Sequence, residues 1–298
     1  MSRMQVLSDD EWELIEPFMP SSDGKRGRRF RDHRVVVEGI IYRYRTGIAW
    51  RDLPGEFGPW QTVWKRHRRF AGDGTWDRVL TALLVRADAA GVIDWDTAVD
   101  STIGRAHQHA TNTTRLAGAL SNHKNLLTEP ADHAVGRSRG GLSTKVHQLC
   151  DGKGRPIVVL LGPGQGSDST MFANLLAALR IPRPGPGRPR TTPDAVMADK
   201  AYSSRAHRAL LRARGITAVI AEPRDQQANR KRRGSAGGRP PKTDPHLYAK
   251  RHVIENGFQR IKQWRGLATR YDKLAITYRA GILLRAITLW LPELRDTP

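Results

Sequence analysis

Apolar residues recur at helical spacing through the first ninety residues of the chain. Ser8 and Glu11 have the spacing of a helix-capping pair at the start of a short amphipathic segment. Longer apolar stripes predict helices from about Asp32 to Arg45, at about 60–70 and at about 75–90. The pattern therefore predicts an N-terminal region made only of helices.

The period changes to that of strands near residue 94. The run IDWDTAVDST predicts a strand that ends at Asp100, and residues 140–164 predict two strands joined by a turn at Asp151–Gly154. A helix, a strand ending at Asp199, a second helix and another strand follow, before a helical stretch at about 246–292. This alternation predicts an α/β layer built on a mixed sheet.

The charge of the chain narrows its class of partner. Lys and Arg number 50 against 29 Asp and Glu, a net charge of +21, which favours nucleic acid or an anionic membrane surface. No run approaches the ~18 apolar residues of a membrane span, and the acidic N-terminus is unlike a signal peptide. A single cysteine, Cys150, excludes an intrachain disulfide. We therefore expect a nucleic-acid-binding protein in a reducing compartment, without membrane association.

The predicted helix at 60–70 is the first candidate for DNA contact. One side carries an aromatic and apolar stripe, and Lys65, Arg66, Arg68 and Arg69 fall on the other side. Such a helix docks on a small core and presents cations to phosphates, as a helix-turn-helix does. A solvated surface helix is the alternative. We predict an all-α, helix-turn-helix-like DNA-binding region over residues 1–90.

A second basic segment lies in the C-terminal half. Residues 224–242 contain seven bases, one acid and no core residues. This composition predicts a flexible basic insert over residues 224–245.

Two aspartates end predicted strands and are candidates for a shared site. Strand ends meet at one edge of an open α/β sheet, so Asp100 and Asp199 are expected to converge, although a lone aspartate there is more often a cap or turn residue. Paired carboxylates repel unless a cation lies between them, and hard oxygen ligands favour magnesium or manganese. The pattern leaves Glu222, Glu255 and Asp272 open as the third acid. The glycine-rich run GPGQGSD lacks the ending of a P-loop, so no nucleotide cofactor is expected.

The C-terminal run YAKRHVIENGFQRIKQWRG carries Tyr248, Arg251, Glu255 and Lys262, separated by two, three and six residues. This spacing resembles the signature around the last catalytic acid of DDE transposases of bacterial insertion sequences. Further blocks resemble the "IS five" family of these enzymes: LSDDEWELIEPFMP, WRDLPGEFGPWQTVWKRHRRF, VDSTIGRAHQHA, GRSRGGLSTKVH, ADKAYSS and WRGLATRYDK. The resemblance covers nearly the whole chain.

The resemblance implies a ribonuclease-H-like catalytic domain over residues 91–298. The family's acidic triad falls on Asp100, Asp199 and Glu255, which are expected to hold two Mg²⁺ or Mn²⁺ ions, with Asp100 as the bridging ligand. Two metals about 4 Å apart act on the attacking and the leaving oxygen of a phosphodiester. Arg251 and Lys262 are expected to contact phosphates beside this site.

The same resemblance implies a transposase that binds the terminal inverted repeats of an insertion sequence, then cleaves and transfers DNA strands. The expected partner is double-stranded DNA, and the expected location is the nucleoid in the bacterial cytoplasm. The expected oligomeric state is a homodimer or a higher oligomer on DNA. Tyr248 is expected to stack on a base or hold the strand. A domesticated DNA-binding regulator and a ribonuclease-H-fold nuclease are the alternatives. Gly257 stands where a helix former is expected, and predicts a weak point in the helix that carries Glu255.

Overall fold

The computed structural model describes residues 6–24, 29–112, 129–241 and 244–295. The helices are α1 (Asp9–Glu13), α2 (His33–Thr46), α3 (Trp60–Gly72), α4 (Thr75–Ala89), α5 (Gln108–Thr111), α6 (Asp168–Ala178), α7 (Arg205–Ala213), α8 (Arg224–Arg232), α9 (Pro245–Ala249), α10 (His252–Lys262), α11 (Arg265–Ala268) and α12 (Ala275–Trp290). The strands are β1 (Asp96–Ala106), β2 (Gly136–Ser138), β3 (Gly141–Cys150), β4 (Pro156–Pro163), β5 (Ala195–Ala198), β6 (Thr217–Ile220) and β7 (Thr269–Arg270).

The N-terminal helices begin at the predicted caps. Ser8 and Glu11 form the capping box of α1, each side chain bonding the backbone N–H of the other residue. The carboxylate of Asp32 accepts from the backbone N–H groups of Arg34 and Val35 at the start of α2. Helix α2 ends at Gly47, whose φ of 77° is the left-handed conformation that glycine adopts at low cost.

The seven strands form one mixed sheet. Strands β2, β3, β1, β5 and β6 are neighbours in that order, with β4 on β3 and β7 on β1. The β1–β3 and β3–β4 pairs are antiparallel, whereas β1–β5 and β5–β6 are parallel. The prediction of an α/β layer with a mixed sheet is therefore confirmed.

Strand β1 is longer than the sequence predicts. It continues past Asp100 to Ala106, because β3 keeps pairing with it as far as Arg105. The parallel partner β5 is short, and its last paired residue, Ala198, lies opposite Val99. Asp100 is therefore not at the end of its strand. It lies at the end of the parallel pairing, where one side of β1 loses its neighbour.

The helices of the two halves of the chain share one hydrophobic core. Helix α12 packs against α3 and α4 on one side and against β4 on the other, and α11 packs against α2. At this junction the Tyr44 hydroxyl donates to Asp272 at 3.0 Å and lies 2.9 Å from Nε2 of His67. Burial lowers the pKa of His67 to about 4, so the ring is neutral at pH 7. The N-terminal helices are thus joined to the C-terminal helix by apolar and polar contacts.

Helix α3 corrects one of the predicted DNA contacts. Arg66 is buried, with its guanidinium 3.7 Å from the ring centroid of Phe30 and 3.2 Å from Nδ1 of His33. The segment before α2, which includes Phe30, covers the side of α3 that the sequence pattern assigned to solvent. The prediction that Arg66 faces DNA is therefore wrong in this structure, whereas Lys65 is exposed and Arg69 is largely exposed.

The predicted basic insert contains a helix, which corrects its interpretation as a loop. Residues Arg224–Arg232 form α8, which is capped by Pro223 and has no buried residue. The helix is held by an ion pair between Arg230 and Glu222 (2.6 Å). Residues 242–243 of the insert lie outside the described residues. Among the described helices, none is long and apolar enough to cross a membrane.

Candidate active site

The sheet brings Asp100 and Asp199 to adjacent positions. Val99 on β1 pairs with Ala198, the last residue of β5; Asp100 is the next residue of β1, and Asp199 directly follows β5. Asp199 then begins a 3-10 helix over Lys200–Tyr202, and its carboxylate accepts from the backbone N–H of Ala201. The register thus brings the two aspartates to neighbouring positions where the β1–β5 pairing ends.

The negative charge of Asp100 is poorly compensated. Its side chain is 24% exposed, and its carboxylate accepts from the backbone N–H of Ser101 at 2.8 Å. Burial, together with the negative charges of Asp199 and Asp168, raises the pKa of Asp100 to about 6, although the Ser101 N–H and Arg251 lower it. A site that holds a carboxylate at this cost is ready to accept a cation.

Arg251 connects the third acid to Asp100. Its Nη2 lies 2.7 Å from Oε1 of Glu255, and its Nη1 lies 3.5 Å from Oδ2 of Asp100. Glu255 is on α10, and its side chain is 53% exposed. Hydrogen bonding to Glu255 and the nearby carboxylates raise the pKa of Arg251 despite the opposing effect of burial. The guanidinium therefore contacts both acids, where the sequence placed it against DNA phosphate.

Gly257 allows α10 to lie close to the sheet. A Cβ at this position would lie 2.6 Å from the carbonyl oxygen of Gly154 and 3.4 Å from Nε2 of Gln148. Gln148 is the β3 residue directly opposite Asp100. Gly257 is thus a point of close approach between α10 and the β3–β4 turn, which holds the helix that carries Glu255 against the sheet.

The other two candidates for a third acid serve different roles. Asp272 is buried, accepts from the Tyr44 hydroxyl and lies 3.6 Å from Nη1 of Arg43 in the core between α2 and α12. Glu222 pairs with Arg230 of α8. Of the three acids, Glu255 alone shares an arginine with Asp100 within the described part of the chain.

Lys262 and Tyr248 are placed differently from one another. Nζ of Lys262 donates to Oγ1 of Thr102 at 2.7 Å and to the carbonyl oxygen of Ile103 at 3.1 Å, on the part of β1 that β5 leaves open. Tyr248 lies on α9, separated from α10 by a turn with i to i+3 hydrogen bonds at Lys250 and Arg251. The predicted helical stretch at about 246–292 is therefore interrupted between α9 and α10, because the chain tightens there.

A fourth carboxylate near Asp100, that of Asp168, was not predicted from the sequence. Asp168 at the start of α6 accepts from Oγ of Ser101 at 2.6 Å and from Nζ of Lys145 at 2.8 Å. Burial raises the pKa of the Tyr202 hydroxyl, and the negative charges of Asp100, Asp168 and Asp199 raise it further. This hydroxyl has no hydrogen-bond partner among the described residues. In the sequence, Asp168 follows Ser167 as an ordinary helix-start residue, and only the strand register reveals its proximity to Asp100.

The donor set fits a divalent cation in part. Among the described residues, no three His, Cys, Asp or Glu side chains lie together in a group that would hold a metal ion, and Arg251 contacts both Asp100 and Glu255. Asp100 and Asp199 nevertheless offer the carboxylate oxygens that Mg²⁺ and Mn²⁺ prefer. The raised pKa of Asp100 marks a charge that such a cation would offset.

The mixed sheet carries Asp100 on β1, Asp199 directly after β5 and Glu255 on α10, and the class of protein is shown by comparison with protein families. Residues 93–291, about two thirds of the chain, match the family described as "Transposase DDE domain". Residues 7–80 match "Putative transposase of IS4/5 family". The chain therefore belongs to the IS4/IS5 family of DDE transposases and is a transposase. Membership in the DDE family implies a ribonuclease-H-like fold for the sheet and its helices, and dependence on a divalent metal.

The chain is also similar to individual bacterial proteins, two of which are named as transposases. "Uncharacterized protein y4sN" of Sinorhizobium fredii is 39% identical over 113 residues, 38% of this chain and 86% of that protein. "Putative transposase for insertion sequence element IS402" of Burkholderia cepacia is 30% identical over 148 residues, 50% of this chain and 62% of that protein. "Putative transposase for insertion sequence element IS6501" of Brucella ovis is 29% identical over 150 residues, 50% of this chain and 99% of that protein. No solved structure gives a significant match.

Proposed function

We propose that this transposase binds the terminal inverted repeats of its insertion sequence and cleaves and joins DNA strands at Asp100, Asp199 and Glu255. The proposal is supported chiefly by the pairing of Val99 with Ala198, the residues that directly precede Asp100 and Asp199. The reaction has two steps of one type, because water attacks the end phosphodiester first and the freed 3′-hydroxyl attacks target DNA second. One site therefore serves both steps.

Asp100, Asp199 and Glu255 are the residues that would hold two Mg²⁺ or Mn²⁺ ions. Such ions supply activation of the attacking oxygen and neutralisation of the leaving oxygen. The chain's own residues prepare the site. Asp100 and Asp199 hold concentrated negative charge, and Arg251 holds Glu255 beside Asp100 through its contacts with both acids. Lys262 fixes the open edge of β1 on which Asp100 lies.

DNA contact outside the acids is proposed for two groups of residues. Lys65, Arg68 and Arg69 on α3 are the remaining candidates of the predicted helix-turn-helix-like region, since Arg66 is buried. Near the acids, Lys262, Arg251 and Tyr248 are proposed to contact the bound strand. The partner is double-stranded DNA at the nucleoid, and we propose a homodimer or higher oligomer because two transposon ends must be cut in one assembly.

We propose two functional regions, a DNA-binding region over residues 1–90 and a catalytic domain over residues 91–298. The separate family matches, which leave only residues 81–92 between them, support this division. Helix α12 packs against α3 and α4, so the two regions share one hydrophobic core.

The test is metal-dependent nicking of a labelled insertion-sequence end, measured beside a gel shift on the same DNA. Asp100→Ala, Asp199→Ala and Glu255→Ala are each expected to abolish nicking and to leave end binding largely intact. Asp194→Ala is the matched control, an acid of the same region that pairs with Arg190 just before β5, and is expected to nick normally. Normal nicking by Asp199→Ala would sink the assignment.

A further inference from the structure

Helices α7 and α8 enclose a cleft of about 930 Å³ that the proposed catalytic residues do not occupy. Its lining is dominated by six arginines: Arg205, Arg208, Arg212, Arg230, Arg233 and Arg239. The first three lie on α7, at positions i, i+3 and i+7, and therefore share one face of that helix. The others belong to α8 and the segment after it, so two separate basic stretches of sequence face each other.

The cleft contains far more positive than negative charge. Glu222 is its only acidic lining residue, so the lining carries six positive charges and one negative charge, a net +5. Arg230 pairs with Glu222, and Arg208 donates to the carbonyl oxygen of Ile220 at 2.9 Å. The side chains of the other four arginines have no hydrogen bond or ion pair with any residue that the structure describes. Like charges that face each other across a cleft repel, and an anion between them removes that repulsion.

The cleft is fixed to the chain segment that follows Asp199. Oγ of Ser203 donates to Oε1 of Gln226 on α8, and Nε2 of Gln226 donates to the carbonyl oxygen of Ser203, each at 2.9 Å. Ser203 is four residues after Asp199, and Ser204 lines the cleft. On its other side α7 is anchored by His207, whose ring stacks on Phe172 of α6 at 4.4 Å between centroids. The arginines are thus held on a rigid support beside the C-terminal end of β5.

The lining favours a phosphate backbone over a base or a free nucleotide. It contains arginine, serine, asparagine, glutamine, glycine and proline but no aromatic side chain on which a base would stack. Guanidinium groups bind phosphate oxygens in a planar, two-pronged geometry. We propose that the α7–α8 cleft binds the phosphodiester backbone of the DNA segment next to the phosphate that is cut. That position rests on the proposed function of Asp199, whereas binding of DNA in the cleft does not.

The first experiment measures how binding depends on salt. The full chain and the variant Arg205→Gln, Arg212→Gln, Arg239→Gln are titrated with a fluorescent end duplex and with an unrelated duplex of equal length. Each lost phosphate contact lowers the slope of log K against log salt by about 0.9, so three contacts are expected to lower it by about 2.7. The control Arg180→Gln, Arg183→Gln, Arg188→Gln removes the same charge near the other end of β1 and is expected to keep the wild-type slope.

The two duplexes distinguish the sources of the bound backbone. A reduced slope on the end duplex alone means that the cleft holds transposon-end DNA, and a reduced slope on both means that it also holds target DNA. Wild-type slopes on both duplexes would overturn the proposal. Phenylglyoxal modification of the wild-type protein, read by mass spectrometry, tests the cleft without any variant. DNA is expected to protect Arg205, Arg212 and Arg239 and to leave Arg183 and Arg188 reactive. Equal reactivity with and without DNA would also overturn the proposal.

This design separates the cleft from the catalytic assignment. Asp199→Ala is expected to keep the wild-type salt slope and to lose nicking. If Asp199→Ala nicks normally while the cleft variant shows the reduced salt slope, the assignment of the catalytic acids is wrong and the proposal that the cleft binds DNA stands.

Discussion

Two clusters of charged side chains in this transposase hold their carboxylates in opposite ways. Asp272 is enclosed between α2 and α12, where it accepts from Tyr44 and faces Arg43. Asp100 lies where β5 ends, with Asp199 and Asp168 as negative neighbours and one long contact to Arg251. The first cluster supplies its acid with two partners from helix α2. The second leaves its acid short of positive charge, which is the condition in which a carboxylate binds a cation.

Removal of Asp272 is expected to have the largest effect on stability. Asp272→Ala would leave Arg43 buried without its counter-charge and the Tyr44 hydroxyl without its acceptor. Loss of one partner of a buried pair costs about 3–5 kcal/mol in unfolding free energy. Urea unfolding of the metal-free protein measures this loss, with Glu222→Ala as an acid control whose loss is expected to be smaller because its pair is less buried. Equal losses would remove the distinction between the clusters.

Asp100→Asn is expected to act in the opposite direction. The pKa of Asp100 is raised in the folded protein to about 6 from 3.8, so the folded state binds this proton more readily than the unfolded state. The ionised form therefore costs stability above pH 6, by up to about 3 kcal/mol, and the cost disappears as the pH falls from 6 to 3.8. The variant should be more stable than wild type at pH 7 and equal to it below pH 4. A variant less stable than wild type at pH 7 would contradict this account of the site.

Gly257→Ala is expected to damage the acidic site through the backbone. Alanine favours a helix by about 1 kcal/mol over glycine, yet its Cβ would meet the carbonyl oxygen of Gly154 at 2.6 Å. Forcing that contact should cost about 1–3 kcal/mol and displace Glu255, so nicking should slow. Asn256→Ala, on the exposed side of the same helix, gains the propensity without the clash. Faster or unchanged nicking by Gly257→Ala would mean that the close approach does not position Glu255.

The smallest effect is expected on helix α3, where two neighbouring cations differ in burial. Lys65→Gln should lower the salt slope of DNA binding by about 0.9 and leave stability unchanged. Arg66→Gln should leave the slope unchanged and lower stability, because its guanidinium lies on Phe30 and beside His33. Salt titrations and urea unfolding of both variants check the pair. A reduced slope for Arg66→Gln would restore the sequence-based prediction.

The sequence predicts most elements of the fold because local signals specify them. The capping box at Ser8, the turn at Asp151–Gly154 and the strand before Asp199 all appear as predicted. The prediction that Arg66 is exposed was wrong because hydrophobic periodicity reveals only one buried face of a helix. It does not reveal that the segment around Phe30 covers a second side of α3. The continuation of β1 beyond Asp100 depends on its pairing with β3, a contact distant in sequence.

The sequence resemblance pointed to the proposed acids of the candidate site but not to the residues that surround them. The resemblance singled out Asp100, Asp199 and Glu255, but Asp168 and Lys145 reach the site only through the register of β1 with β3. Gly257 illustrates the same limit, since its helix propensity indicated a weak point and the structure gives it a packing role. Helix α8 lacks any apolar face, so the hydrophobic pattern contained no signal for it.

The most direct test of the central claim is the binding of Mn²⁺ to the full chain with end DNA, followed by electron paramagnetic resonance. Wild type and Asp194→Ala are compared with Asp100→Asn and Asp199→Asn. Mn²⁺ is expected to bind to the first two proteins and not to either aspartate variant, and all four proteins are expected to bind end DNA. Wild-type Mn²⁺ binding by Asp100→Asn or by Asp199→Asn would contradict the claim that these adjacent carboxylates hold the cation.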